Sequence, residues 1–136
     1  MNFVEVDLSK IIIDEKRHDQ VIVLKEKKGE RQLPIMIGLM EASSIKMKLS
    51  DYKMPRPLTH DLVLSIVEGL DAKIERLVID KLIDQTFHAK LILRTEKGDP
   101  RKIDTRPSDG VAIAVRAQIP VFVEEEILNN AEIPKL

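Results

Sequence analysis

Two arginine-proline steps in this chain each lead into a hydroxyl and a carboxylate: Arg56-Pro57-Leu58-Thr59-His60-Asp61 and Asp104-Thr105-Arg106-Pro107-Ser108-Asp109. Proline suits the first helical position, and helix N-termini expose free N–H groups and a partial positive charge. Functional groups gather at such places, but the same residue types also cap helices, so both readings stand. In the functional reading His60 is a general base or phosphate contact, and Asp61 orients it or ligates a metal. In the plain reading both sit in a first turn after a Thr59 cap. The second run is denser. Two carboxylates beside one arginine are what a divalent-ion phosphoesterase requires: the acids hold Mg²⁺ or Mn²⁺, and the arginine neutralises the scissile phosphate.

Other polar positions carry less. Glu41, near the start of a helix, is expected on a solvated face. His18 falls in a polar turn and His88 beside Lys90, so three scattered histidines give no metal-ligand spacing. There is no cysteine, which excludes disulfides, thiolate metal sites and thiol nucleophiles. Glycine-rich phosphate loops, a Gly-x-Ser-x-Gly elbow and a His-Glu-x-x-His pair are absent, and no organic cofactor is expected. With 22 basic and 23 acidic residues and only 3% aromatics, the chain has no global basic field. Nucleic acid would have to be held by a local cluster. Lys25 to Arg31 and Lys97, Arg101, Lys102 and Arg106 are the two basic concentrations.

The 136 residues, 43% hydrophobic and 33% charged, fit one globular domain over 1–136. Met1 to Leu8 alternates apolar and acidic residues like a strand rather than a signal peptide, and no apolar run nears the ~18 residues of a membrane span. A soluble cytoplasmic protein without membrane contact is the expectation.

Periodicity supplies the frame for the two runs. Val4, Val6 and Leu8, then Val21–Leu24, then Gln32–Ile37 read as a three-stranded meander, with Pro34 marking an edge or bulge. A helix follows from Gly38 to about Ser50, with Leu39, Ala42, Ile45 and Leu49 inward. A second begins at Thr59, with the stripe Leu62, Val63, Ile66, Val67 and Leu70. Lys73–Leu82 and Thr86–Arg94 form a hairpin around Asp84-Gln85, and Arg101–Thr105 adds a short strand. The segment Val111–Val115 is apolar nearly all round, which predicts a helix buried between layers. Val121–Val123 and Glu124–Asn130 close the chain. The order βββ-αα-βββ-α-β-α defines an α+β fold on a mixed sheet.

At these residues the whole chain resembles the bifunctional nuclease domain family. The resemblance is carried by Leu33-Pro34-Ile35-Met36-Ile37-Gly38 with Glu41-Ala42, by the run from Arg56 to Leu62, by Asp104 to Ala112, and by Ile119-Pro120-Val121-Phe122-Val123. Gly110 stands where many relatives carry alanine. The resemblance implies a small α+β domain with DNase and RNase activity, hence DNA or RNA as partner. The roles assigned within it are Asp61, Asp104 and Asp109 as metal ligands, His60 as base, Arg106 for the phosphate and Ser108 as hydrogen-bond donor. The alternative is a non-enzymatic homodimeric binding or regulatory module that recognises a protein, nucleotide or anion through the two helix starts. A homodimer is expected under either reading.

Overall fold

The computed structural model describes residues 2–14, 16 and 19–131, so the polar turn with His18 lies largely outside the described residues. The strands are β1 (Phe3–Ile12), β2 (Asp19–Glu26), β3 (Gln32–Gly38), β4 (Lys73–Ile83), β5 (Thr86–Arg94), β6 (Pro100–Thr105) and β7 (Val121–Glu124). The helices are α1 (Leu39–Leu49), α2 (Thr59–Gly69), α3 (Pro107–Ala117) and α4 (Glu125–Asn129). The observed order is the one the periodicity predicts.

All seven strands join one sheet in the order β3-β2-β1-β7-β4-β5-β6. The meander pairs antiparallel, and β3 is an edge strand, which accounts for Pro34 within it. The hairpin β4–β5 turns through Asp84 and Gln85, both at positive φ (49° and 64°), the backbone of a tight two-residue connection. From the far edge the chain returns through α3 to insert β7 between β1 and β4, antiparallel to one and parallel to the other. That return lays α3 across the sheet. Its residues Val111, Ala112, Ile113 and Ala114 are buried among Leu77, Ile79, Ala89 and Leu91 of β4 and β5, as its all-round apolarity requires.

Close approach of α3 to the sheet explains Gly110. A Cβ there would lie 2.5 Å from Leu77 Cδ1 and 3.3 Å from Thr105 Cγ2, so the leucine occupies the space an alanine methyl would need. Both α1 and α2 pack against α3. Three helices therefore meet over one face of the sheet, and their starts converge.

Three expectations about the helices are corrected. Of the α1 stripe Ala42 and Ile45 are buried, whereas Leu39 and Leu49 are exposed. Leu58, not Thr59, is the N-cap of α2, and Asp61 Oδ2 accepts from Leu58 N at 2.9 Å. The α2 stripe is also narrower than its hydrophobicity suggests. Val63, Leu64 and Val67 pack on the core, whereas Leu62, Ile66 and Leu70 are more than half exposed. One face of α2 meets α3 and β4, and among the described residues nothing covers the outer apolar side chains.

Candidate functional site

One hydrogen-bonded network runs through the junction of α1, α2 and α3. It begins on the surface at Arg106, the N-cap of α3, whose side chain is 69% exposed. An exposed arginine is ordinarily free to move, yet this one is held by two carboxylates. Asp109 Oδ2 accepts from Arg106 Nε at 2.9 Å and Nη2 at 2.8 Å, and Glu41 Oε1 lies 3.1 Å from Nη2. Glu41 itself is only 15% exposed, so the expected solvated helix-face glutamate is corrected to an inward partner of Arg106.

Asp109 is the hinge of the network. Its Oδ1 accepts from His60 Nε2 at 2.9 Å, and His60 Nδ1 faces Ser44 Oγ at 2.7 Å. Arg116 Nη2 then donates to Ser44 Oγ at 2.9 Å and to Ser44 O at 3.1 Å, and its Nη1 to Ala112 O at 2.9 Å. Its Nε donates to Asp61 Oδ1 at 2.9 Å. The Arg116 side chain is 5% exposed, so this is a buried cation with every face satisfied. The chain Glu41–Arg106–Asp109–His60–Ser44–Arg116–Asp61 thus links the three helices, passing from the exposed Arg106 through the buried Ser44 and Arg116 to the half-exposed Asp61.

The electrostatics follow from these contacts. Burial pushes the Asp109 carboxyl up, but hydrogen bonds from His60 and Arg106, with their charges, more than offset it and hold it below the ordinary carboxylate value. The same bond to Asp109, with the attraction of Asp109 and Glu41, strengthens the hold of Arg106 on its proton.

The two helix starts therefore use their acids differently. Asp61 does cap its own helix. Asp109, third in α3, makes no capping bond and spends both oxygens on His60 and Arg106. Ser108 is buried in the first turn of α3 and makes none of the network's hydrogen bonds. Asp104 lies elsewhere. It pairs in register with Lys90, and its carboxylate takes Lys90 Nζ at 3.4 Å, on the opposite face of β5 from Ala89 and Leu91. Asp61, Asp104 and Asp109 are thus not brought together. Among the described residues no group of three or more histidines and acids stands where it could hold a metal ion. As folded, these three acids do not form a set that fits a divalent ion. His88, expected outward, is half-buried on the Lys90 side of β5.

Ser44 and Arg116 are the network positions that sequence reasoning missed. The signals were faint: a serine three residues after Glu41, beside the inward Ile45, and one arginine closing an otherwise apolar helix.

Ser44, His60 and Asp109 have the connectivity of a nucleophile–base–acid triad. Ser44 is only 7% exposed, however, and Arg116 already occupies its oxygen. A substrate cannot reach it in this arrangement, so the serine positions the histidine. What remains open to a ligand is the outer end, where Arg106 has Nη1 unengaged among the described residues and Asp109 oxygens retain lone pairs.

A small α+β domain whose three helix starts share a polar network ending in an exposed, doubly held arginine is the class that fold and site define. Residues 22–135 match the bifunctional nuclease domain, and the chain belongs to that family. It is 38% identical over 127 residues to "Uncharacterized protein Rv1829" of Mycobacterium tuberculosis, covering 93% of this chain and 75% of that protein. It is 29% identical over 119 residues to "Bifunctional nuclease 2" of Oryza sativa subsp. japonica, and 24% identical over 110 residues to "Bifunctional nuclease 2" of Arabidopsis thaliana. Those matches cover 85% and 79% of this chain but only 36% and 33% of the plant proteins. No helix among the described residues is long and apolar enough to cross a membrane.

Proposed function

We propose that this chain hydrolyses phosphodiester bonds of nucleic acid, with the chemistry centred on Arg106 and Asp109. The observation that carries the reading is the exposed Arg106 guanidinium, fixed by Glu41 and Asp109 from two different helices. A pre-oriented cation at the surface loses little freedom on meeting a phosphate and can stabilise the charge that develops on it. The names of the plant relatives support the same reaction class.

The network suggests how charge would redistribute. A phosphate that takes Arg106 competes with Asp109 for the same N–H groups. Asp109 then keeps His60 as its partner and recovers proton affinity, which makes it a better base for an attacking water. His60 acts here as the group that holds Asp109 in place, because both ring nitrogens are engaged. Mg²⁺ or Mn²⁺, if used, would arrive on the substrate phosphates, since the carboxylates do not form a set of their own.

A homodimer is part of the proposal. Leu62, Ile66 and Leu70 lie one turn apart along α2 and are 52%, 53% and 75% exposed, an apolar strip that a second copy would cover. Sedimentation showing only monomer at micromolar concentration would remove this part.

The deciding experiment is cleavage of single-stranded DNA, duplex DNA and RNA with Mg²⁺, Mn²⁺ or EDTA, beside Asp109→Asn purified identically. Cleavage by the wild type that the variant loses supports the reading, and the chelator arm decides the metal. Equal cleavage by both proteins, or none by either, overturns it.

A further inference from the structure

Behind the network, on the other side of Arg116, lies a cleft of about 290 Å³ between the end of α1 and the loop leading into α2. Its lining includes Lys48, Tyr52, Lys53, Arg56, Asp61 and Arg116. Asp61 is the one acid in the lining, and Arg116 already holds it. Lys48, Lys53 and Arg56 have no carboxylate partner among the described residues, whereas most other arginines of the chain do. In a chain of net charge −1 this is a local excess of positive charge.

Tyr52, the chain's one tyrosine, is 63% exposed at the same cleft. Its backbone is fixed. Asp51 takes a left-handed φ of 53° after the last turn of α1, Asp51 N donates to Lys48 O at 3.1 Å, and Tyr52 N to Met47 O at 3.0 Å. These two bonds close a Schellman motif, so the aromatic ring hangs from a locked helix end rather than a loose loop. A larger cleft of about 820 Å³ lies between the end of α2 and β4–β5, but Glu68, Asp71 and Glu96 line it alongside its cations, which disfavours an anion there.

The geometry points to this cleft as a subsite for single-stranded nucleic acid, in which Tyr52 stacks an unpaired base and Lys48, Lys53 and Arg56 take the flanking phosphates. An aromatic face with cations around it binds a strand with little sequence preference, and it requires bases that are not already stacked in a duplex. The ligand class rests on the nuclease reading. The subsite itself does not touch Asp109 or Arg106, and Arg116 connects it to His60 through Ser44. A strand held here is positioned by a rigid element next to the proposed reacting end.

The test is fluorescence anisotropy of a short fluorescein-labelled oligothymidylate, without added metal, against wild type, Tyr52→Ala, Tyr52→Phe, the double variant Lys53→Ala/Arg56→Ala, and Asp109→Asn with and without Tyr52→Ala. Circular dichroism confirms that each is folded. Tyr52→Ala should weaken binding about tenfold while Tyr52→Phe restores it. The double variant should flatten the slope of log K against log salt by about 1.4, roughly 0.7 for each phosphate that is no longer neutralised. In the Asp109→Asn background Tyr52→Ala should weaken binding by the same factor, which separates this subsite from the cleavage reading. If Tyr52→Ala binds as tightly as wild type, or if a matched duplex binds as well as the single strand, the subsite is overturned whatever the cleavage assay shows. Competition by inorganic phosphate as strong as by unlabelled oligonucleotide at equal phosphate concentration would also overturn it, leaving only an anion pocket.

Discussion

Ser44 Oγ lies 2.7 Å from His60 Nδ1, and this contact, together with the Asp109 carboxylate at Nε2, favours the neutral tautomer that carries its proton on Nε2. Arg116 can only donate, so Ser44 Oγ accepts from it. Among the described residues the hydroxyl proton has one acceptor left, which is Nδ1. His60 therefore carries its proton on Nε2 and donates it to Asp109. A buried arginine on one helix thus supports, through a serine on a second, the tautomer that the Asp109 carboxylate requires of a histidine on a third.

Replacing Ser44 with alanine should expose that dependence. It leaves Nδ1 and one Arg116 N–H without a partner in a nearly closed environment, which costs about 1–3 kcal/mol. Urea unfolding measures the loss. Nitrogen-15 NMR of the imidazole should show one tautomer in wild type and a mixture in the variant. A single unchanged tautomer in Ser44→Ala would show that Asp109 alone orients the ring.

Arg116 should be the most costly member of the network to remove. It serves Asp61, Ala112 O, Ser44 O and Ser44 Oγ at once, so Arg116→Met removes four hydrogen bonds, leaves Asp61 to solvent and should destabilise by about 1–3 kcal/mol. Arg116→Lys should recover little, because one ammonium cannot span acceptors arranged for a planar fork. Recovery of more than half the lost stability by lysine, read from urea midpoints, would contradict the fork argument.

The scaffold was legible in the sequence because it is written in periodicity. Alternation gave the meander and the Lys73–Arg94 hairpin, Pro34 marked an edge or a bulge, and the all-round apolarity of Val111–Val115 gave a helix pressed between layers. The site was legible only in part. His60, Arg106 and Asp109 stand out through their proline-bounded helix starts, and the structure brings them together across 49 residues of sequence separation. Asp104 belongs to the same run but points to the other face, because strand residues alternate while the motif is read linearly. Ser44, Glu41 and Arg116 were hidden for another reason. Their contacts depend on how three helices cross, which no local pattern encodes. The exposed half of the α2 stripe misled in the opposite sense, since hydrophobic spacing reports a face without saying that anything covers it.

Acid should loosen the junction through Asp109. Its carboxyl is held below the ordinary value of 3.8 in the folded protein, so folding releases protons and stability rises with pH through that range. The contribution is complete above the unfolded value and is lost as pH falls through the folded one. Wild type should therefore lose stability more steeply than Asp109→Asn as pH is lowered from about 6 to about 3. Parallel curves in thermal melts across that range would show that the Asp109 contacts contribute nothing to folding.

Arg106 is the place where function and stability should separate most cleanly. Its side chain is 69% exposed, and its two carboxylate partners can be solvated once it is gone, so Arg106→Ala should change unfolding free energy by less than about 1 kcal/mol. Its role toward a phosphate has no substitute, since no other arginine and no lysine bonds Asp109 or Glu41 among the described residues. Loss of one preorganised donor to a developing anionic charge typically costs about 100- to 1,000-fold in rate. Arg106→Ala should therefore melt like wild type and cleave at least about 100-fold more slowly, and Arg106→Lys should recover only part of that rate because it cannot stay forked between Glu41 and Asp109 while reaching a phosphate. Cleavage within a few-fold of wild type would move the reacting centre away from this helix start, and a large drop in melting temperature would make Arg106 a structural clamp between α1 and α3 instead.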